Sequence, residues 1–223
     1  IRNLNSIRNL FIQKSPDYVF HLAAQSLVIN SYLNPVDTWS TNLIGTVNIL
    51  ESLKSLNSPC VAVLITSDKC YDNQEWQWGY RENDKLGGPD PYSASKGAAE
   101  LAISSYFRSF FSKNNSIKLA SARAGNVIGG GDWSKNRLIP DCIRAWSKAE
   151  SVILRNPNST RPWQHVLEPL SGYLSLAVNL NLNVKLSGKS FNFGPSDFST
   201  KSVLELVKKM SQYWPKVKWS LEN

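Results

Sequence analysis

At 223 residues, with 42 % apolar and 19 % charged side chains, the chain has the composition of one large globular domain, or of a domain with a smaller lobe, and not of a disordered segment. No apolar run approaches the roughly 20 residues of a membrane-spanning helix. Three cysteines (Cys60, Cys70, Cys142) without C-x-x-C spacing argue against a disulfide framework or a metal cluster and fit a reducing cytoplasm. A net charge of +8 and eight tryptophans raise a nucleic-acid reading, but only Lys208 and Lys209 are adjacent among the basic residues. Scattered charge of this kind is a solvated surface, so neither nucleic acid nor membrane is expected as a partner.

The chain opens at Ile1, with no methionine and no secretory leader, inside an apolar pattern (Ile1, Leu4, Ile7, Leu10). That pattern predicts a helix over residues 1–14 and a chain that is a piece of a longer one. Residues 17–24, "DYVFHLAA", read as a short buried strand. Pro35 suits the first turn of a helix, which Val36, Leu43, Val47, Leu50 and Leu53 continue to about residue 56. Residues 60–66, "CVAVLIT", form a second strand, followed by an irregular Trp- and Gly-rich stretch ending in "GGPDP". A helix over residues 92–113 and a strand over 117–123, "IKLASAR", come next.

Continuous apolar strands alternating with helices predict an α/β fold: a doubly wound, Rossmann-like parallel sheet covered on both faces. After Arg123 the pattern loosens into a Gly-rich loop, a helix at 138–148, the strand "VILR", a helix at 166–180, the strand "SFNFG" and a helix from about residue 201. We expect a first domain over residues 1–126, and a smaller lobe over 127–223 from which segments return to the first.

Chemistry concentrates at two places. In "DPYSASK", Tyr92 and Lys96 are four apart in the first turns of a helix, so they share a face. A phenol titrates near ~10 and is a poor base. A neighbouring ammonium stabilises the phenolate, and the pair can then take and return a hydroxyl proton, as hydride transfer at an alcohol requires. At the end of the second strand, "TSDKC" offers Ser67, Asp68 and Lys69, where open α/β sheets carry their catalytic groups.

A hydroxyl residue at this strand end followed by Y-x-x-x-K resembles the extended short-chain dehydrogenase/reductases. Within them, "TSDKCYDNQEWQWGYRENDKLGGPDPYSASK", "SARAGNVIGGGDW" and "RPWQHVLEPLSGYL" are similar to the CDP-glucose 4,6-dehydratases, a likeness running from "FHLAAQ" to "FNFGPSD". The resemblance implies a hydro-lyase of deoxysugar and polysaccharide biosynthesis, with NAD as cofactor and CDP-glucose as substrate. It would oxidise C4, eliminate water across C5–C6 and return hydride to C6. The first domain would then bind NAD and the lobe the nucleotide sugar.

By the same resemblance Tyr92, Lys96 and Ser67 serve oxidation, Asp68 is the acid of the elimination and Lys69 its base. Lys69 stands where the related dTDP-glucose enzymes have a carboxylate. Ala23, Ala24 and Gln25, with Tyr92 and Lys96, would line the cofactor, and Ser26 would face the site. Asn126 would contact the substrate diphosphate, with Arg155, Arg161 and His165 beside the nucleotide; a guanidinium fork suits a phosphate pair. His21 reads as a packed strand histidine, and Asn42 equally as a helix-kinking or a catalytic residue.

"GNVIGGGDW" does not match G-x-G-x-x-G, and no helix follows it at once. The Gly-rich pyrophosphate loop of such a fold is therefore expected in on the order of 60 residues ahead of Ile1. The chain alone is expected to bind NAD poorly and turn over little, and the complete protein to be a homodimer. The alternatives are another nucleotide-sugar dehydratase or 4-epimerase, or an inactive remnant that only binds ligand; an epimerase has no need of the Asp68–Lys69 pair.

Overall fold

The computed structural model describes residues 1–113, 116–195, 200–214 and 216–222. Ser196 and Asp197, at the end of the "FNFGPSD" block, lie outside them. In chain order the elements are α1 (Leu4–Lys14), β1 (Tyr18–His21), α2 (Val28–Leu33), α3 (Pro35–Trp39), a π-turn (Ser40–Ile44), α4 (Gly45–Lys54) and β2 (Cys60–Ile65). A 3-10 turn (Asp68–Cys70), α5 (Pro91–Tyr106), a second π-turn (Phe107–Phe111), β3 (Ile117–Ala124), β4 (Val127–Ile128), α6 (Leu138–Ser147), β5 (Ser151–Leu154) and β6 (Thr160–Arg161) follow. β7 (Gln164–His165), α7 (Leu167–Leu182), a second 3-10 turn (Val184–Leu186), β8 (Ser190–Phe193), β9 (Lys201–Ser202), α8 (Val203–Ser211) and β10 (Lys218–Leu221) complete them.

Two compact units result: Ile1–Ala124 with Pro169–Phe193, and Gly125–Glu168 with Gly194–Asn223. In the first, a parallel sheet runs β1-β2-β3-β8. Side chains alternate across a strand, and the alternation decides which layer each residue joins. Cys60, Ala62, Leu64, Ile117 and Leu119 pack with Leu50, Leu53 and Ile103 of α4 and α5. Val61, Val63, Ala120 and Ala122 pack with Tyr173, Leu176, Ala177 and Leu180 of α7 on the opposite face. Helices cover both faces, as near-continuous apolar strands demand.

Local chemistry sets the boundaries. Asp90 caps α5 by accepting the Ser93 N–H (3.0 Å), with Pro91 at the first turn. Gly88, at φ +143°, leads into that cap, and a Cβ there would sit 2.4 Å from Ser93 Cβ. The strand expected over residues 17–24 is shorter: it runs over Tyr18–His21 and ends opposite Leu64, one residue before its partner β2 stops at Ile65. The long helix expected from Pro35 is interrupted by the π-turn at Ser40–Ile44.

The second unit packs Cys142 and Trp146 of α6, Val152 and Leu154 of β5 and Val207 of α8 around a small core. β10, which the sequence did not announce, pairs in parallel with β5. Its four residues carry too short a pattern to stand out. α8 opens on a capping box between Ser202 and Glu205. None of the described helices is long and apolar enough to cross a membrane.

Candidate active site

The apolar run of β2 stops at Ile65, and Thr66 continues the ladder by donating its N–H to the Ala122 carbonyl (2.9 Å). Ser67 then caps the 3-10 turn: its Oγ accepts the Lys69 N–H (3.2 Å), and its hydroxyl donates to Asp68 Oδ1 (3.1 Å). The carboxyl end of β2 thus presents a buried Ser67, a half-buried Asp68 and an exposed Lys69 in succession. α5 comes close beneath this turn because residue 97 is glycine. A Cβ on Gly97 would lie 3.2 Å from the Cys70 carbonyl and 3.3 Å from the Gly87 nitrogen.

Tyr92 and Lys96 occupy the first turns of α5, both buried. Lys96 Nζ donates to the Ile65 carbonyl at 3.4 Å, which ties the helix to the end of β2. Burial pushes its pKa down to about 8, against the upward pull of Glu100 and Cys70. One long hydrogen bond on a buried group with three donors leaves capacity for a phenolate and a ligand hydroxyl. Past β1, Ala23 is exposed and Ala24 half-buried, so small side chains border that strand end. An open strand end and a buried ammonium with donors to spare fit the nicotinamide half of a dinucleotide. The three cysteines are buried, and burial pushes each thiol up to about 12, which removes them as nucleophiles.

Asn42 lies buried in the π-turn, the kind of one-turn irregularity that collects at functional sites. Its side chain accepts the Gln25 N–H and donates to the Gln25 carbonyl (3.0 Å) and Ser95 Oγ (2.9 Å), joining the loop after β1 to α5. Gln25 spends its own amide on Leu27 and Thr38 (2.7–3.1 Å), so the loop carrying Ala23 to Ser26 is held from both sides.

His21 is buried, with Nε2 3.1 Å from Thr46 Oγ1. Thr46 donates to the Asn42 carbonyl (2.7 Å), so it accepts from His21, which places the ring proton on Nε2. Burial first, then the Lys96 charge, lowers the His21 pKa from 6.5 to about 4. A folded pKa below the unfolded one means that the neutral ring contributes stability above pH 6.5, lost as pH falls toward 4. The gap corresponds to about 3 kcal/mol. Urea midpoints should therefore drop between pH 6.5 and 4, and His21→Asn should flatten that drop; an unaltered slope in the variant would assign the drop to other groups.

One feature of the site went unread in the sequence. Glu100, two turns beyond Tyr92 on α5, is buried and accepts from Arg123 Nη2 (2.7 Å), Ser121 Oγ (2.8 Å), Ser190 Oγ (3.1 Å) and the Thr66 hydroxyl. Burial alone would raise its pKa, but Arg123 and these hydroxyls hold it below the usual carboxylate range. Arg123 Nη1 in turn donates to the Tyr71 hydroxyl (2.7 Å) and the Glu82 carbonyl (2.9 Å). The Tyr71 hydroxyl in turn donates to Asn192 Oδ1 (2.7 Å). The available signal was an arginine closing a buried strand, since a buried charge requires a partner.

In the second unit, the segments that carry Asn126 and His165 run along one another, although the two residues are not opposite each other. β4 and β7 pair in parallel, Ile128 opposite His165, and the Asn126 carbonyl accepts the Gln164 N–H (3.1 Å). His165 is exposed, and its Nδ1 accepts the Leu167 N–H (3.2 Å). Arg161 lies in β6 opposite Lys201 of β9, its guanidinium donating to the Thr160 carbonyl (2.7 Å). Arg155 is exposed just past β5.

Solved structures share this fold along the whole chain. Pal from Bacillus thuringiensis superposes with a TM-score of 0.85 at 21 % identity, covering 100 % of this chain and 67 % of that one. A double mutant of DesIV, a dTDP-glucose 4,6-dehydratase from Streptomyces venezuelae solved with NAD bound, gives 0.80 at 19 % identity, covering 100 % and 65 %. The model of the GDP-mannose 4,6 dehydratase family matches residues 1–214, and the chain belongs to that family. CDP-glucose 4,6-dehydratase of Salmonella typhimurium is 52 % identical over 96 % of this chain, and the match spans 61 % of that protein's length. CDP-paratose 2-epimerase of Salmonella typhi is 28 % identical over 96 % of this chain and 68 % of its own.

Proposed function

We propose that the complete gene product is an NAD-dependent hydro-lyase that converts CDP-glucose to CDP-4-keto-6-deoxyglucose. The observation that carries this is the junction of two groups of residues. Ser67, Asp68 and Lys69 end β2, and Lys96 of the Tyr92–Lys96 pair bonds the Ile65 carbonyl of the same strand (3.4 Å). Similarity to the Salmonella CDP-glucose enzyme supplies the substrate.

NAD, when bound, would supply the hydride acceptor for C4 and the hydride donor for C6. Tyr92, as phenolate beside the Lys96 ammonium, removes the 4-hydroxyl proton, and Ser67 holds that oxygen. The resulting ketone acidifies the C5 proton, which Lys69 removes while Asp68 protonates the 6-hydroxyl, which leaves as water. Lys69 returns its proton to C5 as hydride reaches C6, and the proton left on Tyr92 balances the one lost by Asp68. Lys69 stands exposed, so any desolvation it needs comes from bound ligand. Ala23, Ala24 and Gln25 border the cofactor; Asn126, Arg155, Arg161 and His165 take the nucleotide diphosphate. The enzyme works in the cytoplasm as a homodimer. Incubating the complete gene product with CDP-glucose, dTDP-glucose and GDP-mannose in turn tests this. A 4-keto-6-deoxy product from CDP-glucose is expected, and turnover of only the others would reject it.

A further inference from the structure

The Glu100 cluster is built on α5 and bonds the residues on either side of the Ser67–Cys70 segment, Thr66 and, through Arg123, Tyr71. Its carboxylate stands on α5, four residues after Lys96 and eight after Tyr92, the spacing of one helix face. Thr66, which it holds through the hydroxyl, directly precedes Ser67. Ser121 and Arg123 of β3 and Ser190 of β8 bond the same carboxylate (2.7–3.1 Å), so α5 is pinned at once to three neighbouring strands. On the far side of the Asp68–Lys69 pair, Arg123 grips Tyr71, the residue that follows the 3-10 turn.

A buried ion pair is seldom better for stability than apolar packing of the same volume. Here Arg123 Nε is also left buried without a partner among the described residues, a cost that a purely stabilising device would avoid. What four directed bonds on one carboxylate supply instead is geometry.

We propose that Glu100 is a positioning residue. Through Thr66 it sets Ser67 against the helix bearing Tyr92 and Lys96, and through Arg123 and Tyr71 it fixes the exit of the turn bearing Asp68 and Lys69. The proposal rests on the dehydratase reading for its activity readout. A displacement near 1 Å can cost about a hundredfold in rate. In the complete gene product with NAD, Thr66→Val should lower kcat for CDP-glucose by about ten- to a hundredfold. KM and NAD affinity should stay within about twofold, because the Thr66 hydroxyl bonds Glu100 and is not among the groups assigned to ligand. Thr66→Ser, which keeps the hydroxyl, should restore kcat, and Tyr71→Phe should lower it as Thr66→Val does.

Thermal midpoints separate this from simple destabilisation. A wild-type kcat in folded Thr66→Val and Tyr71→Phe, or a loss that Thr66→Ser fails to rescue, would overturn the proposal. If the wild type itself turns over no nucleotide sugar, the dehydratase reading is what fails. Hydrogen exchange of residues 66–71 then decides the positioning role by itself: Thr66→Val should speed it locally, and unchanged exchange would overturn it.

Discussion

Replacing Tyr92 with phenylalanine in the complete gene product is expected to lower the rate of 4-keto-6-deoxy sugar formation by about a hundredfold to ten-thousandfold. The substitution removes one hydroxyl from a buried residue at the start of α5 and leaves the helix cap at Asp90 and the ring packing in place, so the fold should survive. On the proposed reading the loss arises because Tyr92 supplies the phenolate that takes the 4-hydroxyl proton. Lys96, the neighbouring candidate, is held by the Ile65 carbonyl and loses its own proton only near pH 8. Isotope exchange at C5 gives a sharper test than rate alone. Tyr92→Phe blocks oxidation and therefore exchange as well, whereas Lys69→Met should still oxidise C4 yet fail to exchange. Full exchange in Lys69→Met would move the base elsewhere, Asp68 being the next to try.

Replacing Arg123 with methionine should have the largest effect on stability, about 3–5 kcal/mol by chemical denaturation at neutral pH. Methionine fills much of the volume, so the cost is chiefly that of leaving Glu100 charged and buried without its cation (2.7 Å in the intact pair). Two checks tie the loss to charge. Adding Glu100→Leu to Arg123→Met should recover most of it, since an apolar pair needs no compensation. The loss should also shrink in acid. Glu100 has a depressed pKa in the fold, so its contribution exists above the ordinary carboxylate range and disappears as pH falls through the folded value. A loss of equal size at all pH values would point to packing alone.

These two residues also show what could be read in advance. Tyr92 was legible because Y-x-x-x-K is a local pattern whose chemistry follows from a helical turn, and Ser67, Asp68 and Lys69 because they punctuate an apolar strand. The parallel sheet was legible for the same reason: strand runs and helical periods are properties of short windows. Glu100, Tyr71 and Asn192 were not, since a carboxylate on α5 acquires meaning only when β2, β3 and β8 converge on it. The π-turn hid inside an otherwise regular apolar spacing. It is set by what Asn42 can reach across the fold, the Gln25 backbone and Ser95, and not by local propensity.

That π-turn fixes a phase relation along the molecule. An α-helix advances about 100° per residue, so the extra residue accommodated within Ser40–Ile44 sets how α4 is rotated relative to α3. Ile49, Leu50 and Leu53 face the core only at that rotation. A single deletion between residues 40 and 44 would restore an ordinary helix and still be harmful. It would swing the apolar face of α4 off the sheet and carry Asn42 away from Gln25. A segment that looks like plain helix in the sequence is thus counted to the residue, and length there is under tighter constraint than composition.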